Sequence, residues 1–473
     1  MSKRPNIVVI MSDDHAAWAT GCYGNEDVPT PHLDALSRSG LKATQAFTPG
    51  PVCSPARASF FTGQIPSRHG IHDWLLERPE SPRDWLGEQP TLPALLQANG
   101  YRTGLVGKWH CGNSHLPQTG FDFWLSYARG QYPHVGTQHL VCNGKLETFE
   151  GPQSPYLTGR AIDFLNEADD RPFFLFLGLV DTHSPFRGHP EERVAPFRDQ
   201  ALPSLPQETY SGPGGIKFGN PNHAARRQEW AAQYYAAVTT IDDQVGRIRT
   251  TLEARGLSNE TLVVYTSDHG HMNGHHGLYT KGNATVPQNF YDEAIRVPLL
   301  LSHRPTIAPA TELNAPVDHC DLFATLADYA GIKSQIPESP GRSIRSLLQD
   351  AATPWRDRQY CEYGNARMVR TERWKLITRT APHADAFGDE LYDLSRDPRE
   401  TINVIGDHAN TAEINALRTD LAAYFSRWED PQLSGNRILE LPAQNPGEPW
   451  RLQLATDGPS EGTDWRVLDD YPA

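Results

Sequence analysis

The stretch that decides the fold is Asn6-Ile-Val-Val-Ile-Met-Ser-Asp-Asp14, a short apolar run that ends in two aspartates. The run is too short to cross a bilayer, and the aspartates and the missing small-residue cleavage site distinguish it from a secretory signal. It therefore predicts a first core strand with carboxylates at its end. A cytoplasmic location is expected from the same reasoning, unless a leader has been trimmed from the chain.

Similar apolar runs recur along the 473 residues and alternate with helical patterns. This alternation predicts an α/β fold, in which a mostly parallel central sheet is flanked by helices. The predicted strands are 6–11, 103–106, 173–179, 262–266 and 297–301, and the predicted helices are 32–39, 92–99, 156–167, 224–255 and 318–330. Gly40, Gly100, Gly256 and Gly331 follow four of these helices, where a left-handed glycine commonly ends a helix.

The pattern changes after about residue 341, where short strands are followed by one helix over 411–428. This change predicts a catalytic domain at 1–345 and a smaller C-terminal α+β domain at 346–473. The tail from Asp430, with Trp450 and Trp465, is irregular and is expected to wrap over the main body or a neighbouring subunit. A Pro- and Gly-rich stretch at 188–222 is expected to be a surface excursion that borders the pocket.

Composition excludes several classes of partner. A formal net charge of −14 makes nucleic acid a poor partner, because phosphate backbones bind basic faces. The longest apolar run, 173–180, is far too short to span a membrane, so a soluble protein is predicted. The six cysteines form no Cys-x-x-Cys pair, and most are expected to be reduced and buried.

Charged or imidazole side chains follow four of the predicted strands. Ligands of an open α/β sheet bind beyond the carboxyl ends of its strands, so these side chains are expected to share one site. Three of them are carboxylates, which need a cation to lie together. Oxygen ligands favour Ca²⁺ or Mg²⁺, while a histidine in the set admits Mn²⁺ or Zn²⁺. The side chains are Asp13 and Asp14, Lys108 and His110, His183, and Asp268 and His269.

Two longer stretches connect the chain to a known family. Pro51-Val-Cys-Ser-Pro-Ala-Arg-Ala-Ser-Phe-Phe-Thr-Gly63 has a Cys-x-Pro-x-Arg core, and a second diagnostic pattern is Gly100-Tyr-Arg-Thr-Gly-Leu-Val-Gly-Lys-Trp-His110. Shorter matches lie at 30–34, 266–270, 276–281, 296–298, 367–376 and 391–398. With these motifs the chain resembles the type I, formylglycine-dependent sulfatases of the alkaline phosphatase superfamily over nearly its whole length.

The resemblance implies a modified nucleophile and a metal. Cys53 would be oxidised to Cα-formylglycine by a formylglycine-generating enzyme, and the metal would be Ca²⁺, with Mn²⁺, Mg²⁺ or Zn²⁺ as alternatives. The hydrate of this aldehyde would attack sulfur, and its second hydroxyl would then allow sulfate to be expelled without attack by water. The resemblance implies these roles: Asp13, Asp14, Asp268 and His269 hold the metal together with residue 53; Arg57, Lys108 and Lys281 grip the sulfate; His110 supports the formylglycine and removes its proton; His183, or Lys281, protonates the leaving group.

Position also favours Cys53 as the nucleophile. If 56–61 begin a helix, with Pro55 in its first turn, residue 53 lies near amides that favour an anion. Candidates for contact with the substrate are less specific, because an ordinary structural role is at least as common for such residues. They are His69, His72, Trp74, Arg187 and His271, with His134 as a further candidate.

The leading hypothesis is a sulfatase that hydrolyses a sulfate ester to alcohol and inorganic sulfate, with a carbohydrate ester as the expected substrate. Its substrate partner would be a sulfated saccharide or small molecule, and a homo-oligomer is left open. The alternatives are a phosphonate monoester or phosphodiester hydrolase that uses the same site, and an aryl- or choline-type sulfatase. A hypothesis from a different class of function is a metal-binding protein without catalysis, in which Cys53 keeps its thiol.

Overall fold

A computed structural model describes residues 4–80, 82–128, 134–206, 208–217, 224–334 and 336–452. Trp465, in the tail that was expected to wrap over the main body or a neighbouring subunit, lies outside these residues, as does part of the 188–222 excursion. The described part of that excursion contains a helix, Glu191–Arg198, and a short strand, Gly215–Ile216.

The strands are given in chain order. They are β1 (Asn6–Ser12), β2 (Leu41–Ala43), β3 (Ala46–Phe47), β4 (Arg102–Gly107), β5 (Phe123–Tyr127), β6 (Thr137–Cys142), β7 (Lys145–Glu150), β8 (Phe173–Leu179), β9 (Gly215–Ile216), β10 (Thr261–Ser267), β11 (Thr285–Val286), β12 (Leu299–Ser302), β13 (Thr311–Leu313), β14 (Val317–Asp318), β15 (Gln359–Tyr363), β16 (Ala366–Arg370), β17 (Trp374–Arg379) and β18 (Glu390–Asp393).

The α-helices follow the same order. They are α1 (Pro31–Ser39), α2 (Cys53–Thr62), α3 (Pro66–His69), α4 (Leu92–Ala98), α5 (Gln153–Asn166), α6 (Glu191–Arg198), α7 (Ala224–Ala254), α8 (Asp292–Ile295), α9 (His319–Tyr329), α10 (Arg345–Gln349), α11 (Ala384–Phe387) and α12 (Thr411–Trp428).

A ten-stranded sheet forms the centre, with the order β13-β2-β12-β10-β1-β8-β4-β5-β6-β7. Its middle strands β10, β1, β8, β4 and β5 are parallel neighbours, which confirms the predicted mostly parallel sheet. The fifth predicted strand, 297–301, is β12, and it runs antiparallel to both β10 and β2.

The central strand β1 is buried along its whole length because helices cover both faces of the sheet. Ile7, Val9 and Met11 share a core with residues of α2, α4 and α9, whereas Val8 and Ile10 share one with residues of α1, α5 and α7. Alternate side chains of a strand point to opposite faces, so a continuous apolar run is what such a strand requires.

The predicted glycine caps are correct for three helices and wrong for one. Gly100, Gly256 and Gly331 have φ values of +83°, +69° and +74°. Gly40 has a φ of −156° and is not left-handed. The reason for glycine there is close approach to β12, because a Cβ at this position would lie 2.0 Å from the carbonyl oxygen of Leu301.

Strands β15 to β18 form a four-stranded antiparallel sheet, and α12 packs against it. This arrangement confirms the smaller C-terminal α+β domain, while its boundary at 345/346 stays a prediction. Within the described residues, Trp450 of the irregular tail is buried against Tyr363 and Gly364 of the C-terminal sheet. The tail also packs on the main body, because the His72 amide donates to Gln444 Oε1 at 2.9 Å.

Most of the cysteines are buried, as the sequence predicted. All six cysteines are free, four of them are buried, and Cys22 and Cys142 are half-buried. Among the described residues, no helix has the length and apolar character needed to cross a membrane.

Candidate active site

The site is built first by two neighbouring strands. Because β1 and β10 are parallel and Ser12 pairs with Ser267, the acidic residues that follow them emerge side by side. The Asp14 amide donates to Asp268 Oδ1 at 3.3 Å, and the His269 amide donates to the same oxygen at 2.9 Å. The predicted meeting of these strand ends is thus present in the structure.

The candidate nucleophile lies at the start of a helix. Cys53 is the first residue of α2, three residues earlier than the sequence predicted, and every residue of this helix is buried. Cys53 Sγ lies 3.5 Å from Asp13 Oδ1, 3.3 Å from His269 Nε2 and 3.1 Å from Lys281 Nζ. The sulfur therefore sits at the positive end of the helix and against the acidic cluster.

The donor atoms fit a divalent cation. One ligand atom from each of Asp13, Cys53, Asp268 and His269 lies within 4.8 Å of the others, and all four residues are buried. His269 Nε2 is 3.6, 3.2 and 3.4 Å from carboxyl oxygens of Asp13, Asp14 and Asp268. Buried carboxylates held this closely are the kind of oxygen-rich set that binds Ca²⁺ or Mg²⁺.

Three cationic side chains surround these carboxylates. Lys108 Nζ donates to Asp13 Oδ2, and Lys281 Nζ donates to Asp14 Oδ1 at 2.5 Å. Arg57 Nε donates to Asp268 Oδ2 at 2.8 Å, and Arg57 Nη1 donates to the carbonyl of Lys108 at 2.8 Å. Within the described residues, the buried Arg57 Nη2 has no hydrogen-bond partner, and it lies 3.8 Å from Asp13 Oδ2. This N–H is placed to bind a further anion.

The electrostatics favour an anion at residue 53. Burial raises the pKa of the Cys53 thiol, but Lys108, Lys281, His269 and a hydrogen bond with His110 bring this pKa well below its usual range. Burial alone would also raise the pKa of Asp13, yet the nearby cations hold that pKa far below its usual range.

The metal candidates Asp14 and His269 differ in the direction from which burial and charge act on their pKa values. Burial raises the pKa of Asp14, and Lys281 only partly opposes this effect. Burial lowers the pKa of His269, but the carboxylates of Asp268 and Asp14 outweigh it and raise this pKa to about 9. An added divalent cation would replace the proton on His269, since a metal-bound imidazole must be neutral.

Two further histidines reach the site. His110 has a φ of +60°, its Nε2 lies 3.0 Å from the carbonyl oxygen of Leu75, and it also bonds Cys53. His183 is half-buried, contacts Cys53, and belongs to a set with Asp13 and Asp14 whose ligand atoms lie within 4.8 Å of each other. All the predicted catalytic and metal-binding residues therefore converge on one cluster.

The candidates for substrate contact are mostly interior. His69 is buried, with Nε2 3.1 Å from Ser59 Oγ, and the buried His72 has its Nε2 2.7 Å from the carbonyl of Leu433. Both rings thus have structural partners. Trp74 is half-buried and Arg187 is exposed, and their substrate role stays a prediction. His271 is fully buried beside Asp14, and His134 Nε2 contacts the carbonyl of His183 at 2.7 Å.

Several residues at the site were not found from the sequence. Tyr234 on α7 donates to the carbonyl of Asp14 at 2.8 Å, and the Thr182 hydroxyl donates to the carbonyl of Asp13. Asp73 is buried next to Tyr363, whose hydroxyl donates to Asp73 Oδ1 at 2.7 Å. No local pattern distinguishes Tyr234 or Tyr363 from core tyrosines, whereas Thr182 lies beside the predicted His183.

Comparisons with known proteins agree with this geometry. A family model described as Sulfatase matches residues 5–332, and one described as N-sulphoglucosamine sulphohydrolase, C-terminal, matches residues 274–426. The fold and these matches define a hydrolase of sulfuric esters. Because the first model covers more than half of the chain, the protein belongs to the sulfatase family.

Individual relatives extend over most of the chain. It is 26% identical to the N-acetylglucosamine-6-O-sulfatase of Bacteroides thetaiotaomicron, over 86% of this chain and 83% of that protein. It is 28% identical to arylsulfatase A of Homo sapiens over 92% of each protein. The relatives thus include sulfatases of more than one substrate class.

Solved structures share the fold. A protein in complex with its substrate D-glucosamine-2-N,6-O-disulfate has a TM-score of 0.77 at 24% identity, covering 90% of this chain and 98% of that one. The phosphonate monoester hydrolase of Agrobacterium radiobacter has a TM-score of 0.71 at 20% identity, covering 92% and 97%. At such identities the likeness concerns the fold alone.

Proposed function

We propose that this sulfatase removes sulfate from a carbohydrate ester and that it uses a formylglycine formed from Cys53 together with a divalent cation, preferentially Ca²⁺. A formylglycine-generating enzyme would act on the chain during maturation. The observation that carries the proposal is the contact of Cys53 Sγ with both the carboxylate cluster and Lys281. A carbohydrate substrate is supported by the relative named N-acetylglucosamine-6-O-sulfatase.

The side chains of this site suit a sulfate monoester. When present, the metal would neutralise sulfate oxygens and the formylglycine hydrate would supply the attacking hydroxyl. Arg57 Nη2 and the ammonium groups of Lys108 and Lys281 are positioned to bind the remaining oxygens. These donors are already buried and fixed, so they cost little reorganisation during reaction.

Proton transfer would fall to the two histidines. His183, which is half-buried and contacts Cys53, would protonate the departing alcohol oxygen, with Lys281 as the alternative donor. His110, which follows β4 and contacts Cys53, would accept the proton of the second hydroxyl. The two steps would thus use separate groups, His183 or Lys281 as the proton donor and His110 as the proton acceptor.

Mass spectrometry of the peptide containing residue 53 tests the modification. A protein produced in a host with converting activity should show a loss of about 18 Da at this residue. The peptide containing Cys142, which lies outside the site, should keep its full thiol mass. An intact thiol mass at residue 53 in protein that turns over substrate would contradict the proposed nucleophile.

The substrate class is tested by sulfate release from a panel of sulfated mono- and oligosaccharides, with aryl sulfates alongside. The saccharides should be hydrolysed with a higher kcat/KM than the aryl esters. Aryl phosphodiesters and phosphonate monoesters belong in the same assay, because a phosphonate monoester hydrolase shares the fold. A clear preference for the phosphorus esters would overturn the proposal.

A further inference from the structure

His271 occupies an unusual position beside the acidic cluster. Its side chain is fully buried. Within the described part of the chain, neither of its ring nitrogens has a hydrogen-bond partner. A buried polar atom that lacks a partner costs free energy, so such an atom in a native fold calls for an explanation.

The surroundings of the ring fix its orientation. The ring of Tyr234 stacks on His271 with centroids 5.0 Å apart and planes 23° apart, and Phe186 packs edge-on at 5.2 Å. The backbone of His271 is held as well, because the Trp18 indole donates to its carbonyl at 2.8 Å. These contacts of the ring and of the backbone hold the His271 imidazole in one orientation.

The ring faces one carboxyl oxygen of Asp14. His271 Nδ1 lies 3.7 Å from Asp14 Oδ2, a distance that is too long for a hydrogen bond. The other oxygen, Asp14 Oδ1, is 2.5 Å from Lys281 Nζ and 3.2 Å from His269 Nε2. The two oxygens of this carboxylate therefore have different environments, with His271 on the side away from the cluster.

Tyr234, which stacks on His271, also constrains the backbone of Asp14. Asp14 has a φ of +59°, a conformation that costs free energy in a residue with a side chain. The Tyr234 hydroxyl donates to the Asp14 carbonyl at 2.8 Å and accepts from the Ala16 amide at 3.3 Å. Tyr234 thus holds the main chain of Asp14 and also stacks on the ring that faces its side chain.

We propose that His271 is a positioning residue for the metal site, and that its Nδ1 fixes the rotation of the Asp14 carboxyl group so that Oδ1 is presented to the cation. The inference rests on the metal site of the proposed function. Partners of metal ligands commonly change metal affinity by 10- to 100-fold when they are removed. Substrate does not enter this role, since the ring is not accessible.

Metal affinity in a matched pair of variants tests the inference. The full-length protein, stripped with a chelator, is titrated with Ca²⁺ and separately with Mn²⁺ by calorimetry. His271→Leu should raise the Kd by about 10- to 100-fold. Asparagine has nearly the same shape as leucine, so His271→Asn loses the same ring stacking as His271→Leu. It keeps a polar atom near the position of Nδ1, however, so its Kd should stay within about fivefold of the wild type.

Controls separate this effect from loss of packing. His303→Leu removes a buried histidine far from the cluster and should leave the Kd unchanged. If His271→Leu does not fold, His271→Phe, which keeps an aromatic ring against Tyr234 and Phe186, replaces it in the comparison. An unchanged Kd in the leucine variant, or equal losses in the leucine and asparagine variants, would overturn the inference. A wild-type protein that binds neither cation would instead contradict the metal site of the proposed function.

Discussion

At the residue scale, the pKa of the Cys53 thiol depends on the charged groups around it. A buried thiol ordinarily keeps its proton, yet lysine and histidine side chains lower the pKa of this one well below its usual range. The same surroundings would suit the anionic form of any nucleophile at this position. The other buried cysteines provide a contrast, since burial raises the pKa values of Cys111, Cys320 and Cys361.

The nucleophile itself is tested by substitution. Cys53→Ala should lower turnover by at least about 10⁴-fold, because no group remains to attack sulfur. Cys53→Ser should become sulfated once and then stop, because serine lacks a second hydroxyl on the same carbon. Mass spectrometry of the serine variant after incubation with substrate should show the trapped ester. Cys142→Ser should retain wild-type turnover, and repeated turnovers by Cys53→Ser would contradict the proposed route of sulfate release.

Asp73 allows a prediction on pH. Burial raises the pKa of its carboxyl to about 7 from 3.8, while Lys217 and the Tyr363 hydroxyl oppose this shift. The folded protein thus binds this proton more tightly than the unfolded chain does. The stabilisation is complete below pH 3.8 and is lost as the pH rises towards 7.

Asp73→Asn removes this titration. The free energy of unfolding of the variant, relative to the wild type, should therefore rise by about 2–4 kcal/mol between pH 4.5 and 7.5. Urea unfolding at several pH values measures the difference. Asp169→Asn serves as a control that should show no change over this range, because hydrogen bonds from Arg171 lower the pKa of Asp169 to about 2, so that this carboxyl titrates below pH 4.5. A difference between Asp73→Asn and the wild type that does not change with pH would refute the prediction.

At the element scale, the sequence predicted what depends on local pattern. The buried runs of β1, β8 and β10 are visible as apolar stretches, and the polar residues that follow them are in the observed site. The direction of β12 was not predictable in this way, because it depends on pairing with β2 and β10 from distant parts of the chain. An apolar run has the same pattern in either direction.

The site residues that the sequence did not predict also depend on contacts between distant parts of the chain. The motifs predicted the candidate metal ligands because each of them lies next to a strand or helix end. Tyr234 and His271 gained their relation to Asp14 only through the packing of α7 and the loop after β10 against the end of β1. Such contacts join distant segments, so no spacing within one segment shows them.

The nucleophile helix α2 ends at Gly63, where a test of packing is available. Gly63 has a φ of +69°, and a Cβ there would lie 2.6 Å from the Phe323 ring of α9. Gly63→Ala should therefore lower the free energy of unfolding by about 2–4 kcal/mol, through strain in the backbone and overpacking.

Gly256 is the matched control for this change. It follows α7 with the same φ of +69°, but nothing lies within 4 Å of an added Cβ. Gly256→Ala should cost only about 1 kcal/mol, which is the backbone contribution. Urea unfolding of both variants gives the comparison, and equal costs would show that contact between α2 and α9 is not tight.

At the scale of the whole molecule, buried charges join the central body to the C-terminal sheet. Lys375 on β17 is fully buried, and its Nζ donates to the carbonyl of Phe290 at 2.9 Å and to Asp292 Oδ1 at 2.7 Å. It also pairs with Glu400 at 2.5 Å, while Arg370 pairs with Asp292 at 2.8 Å. The proposed boundary at 345/346 therefore separates segments that share one network of charges.

Lys375→Met tests whether this network makes the two parts unfold together. The methionine would fill the space of the lysine stem but would leave Glu400 buried without its cation, so the free energy of unfolding should fall by about 3–5 kcal/mol. Lys333→Met, at an exposed position, should change it by less than about 0.5 kcal/mol. Scanning calorimetry of the wild type should show one transition, and the Lys375 variant should show this transition at a lower temperature or split in two. If the variant instead unfolds at the wild-type temperature, the network does not couple the C-terminal sheet to the body that carries the site.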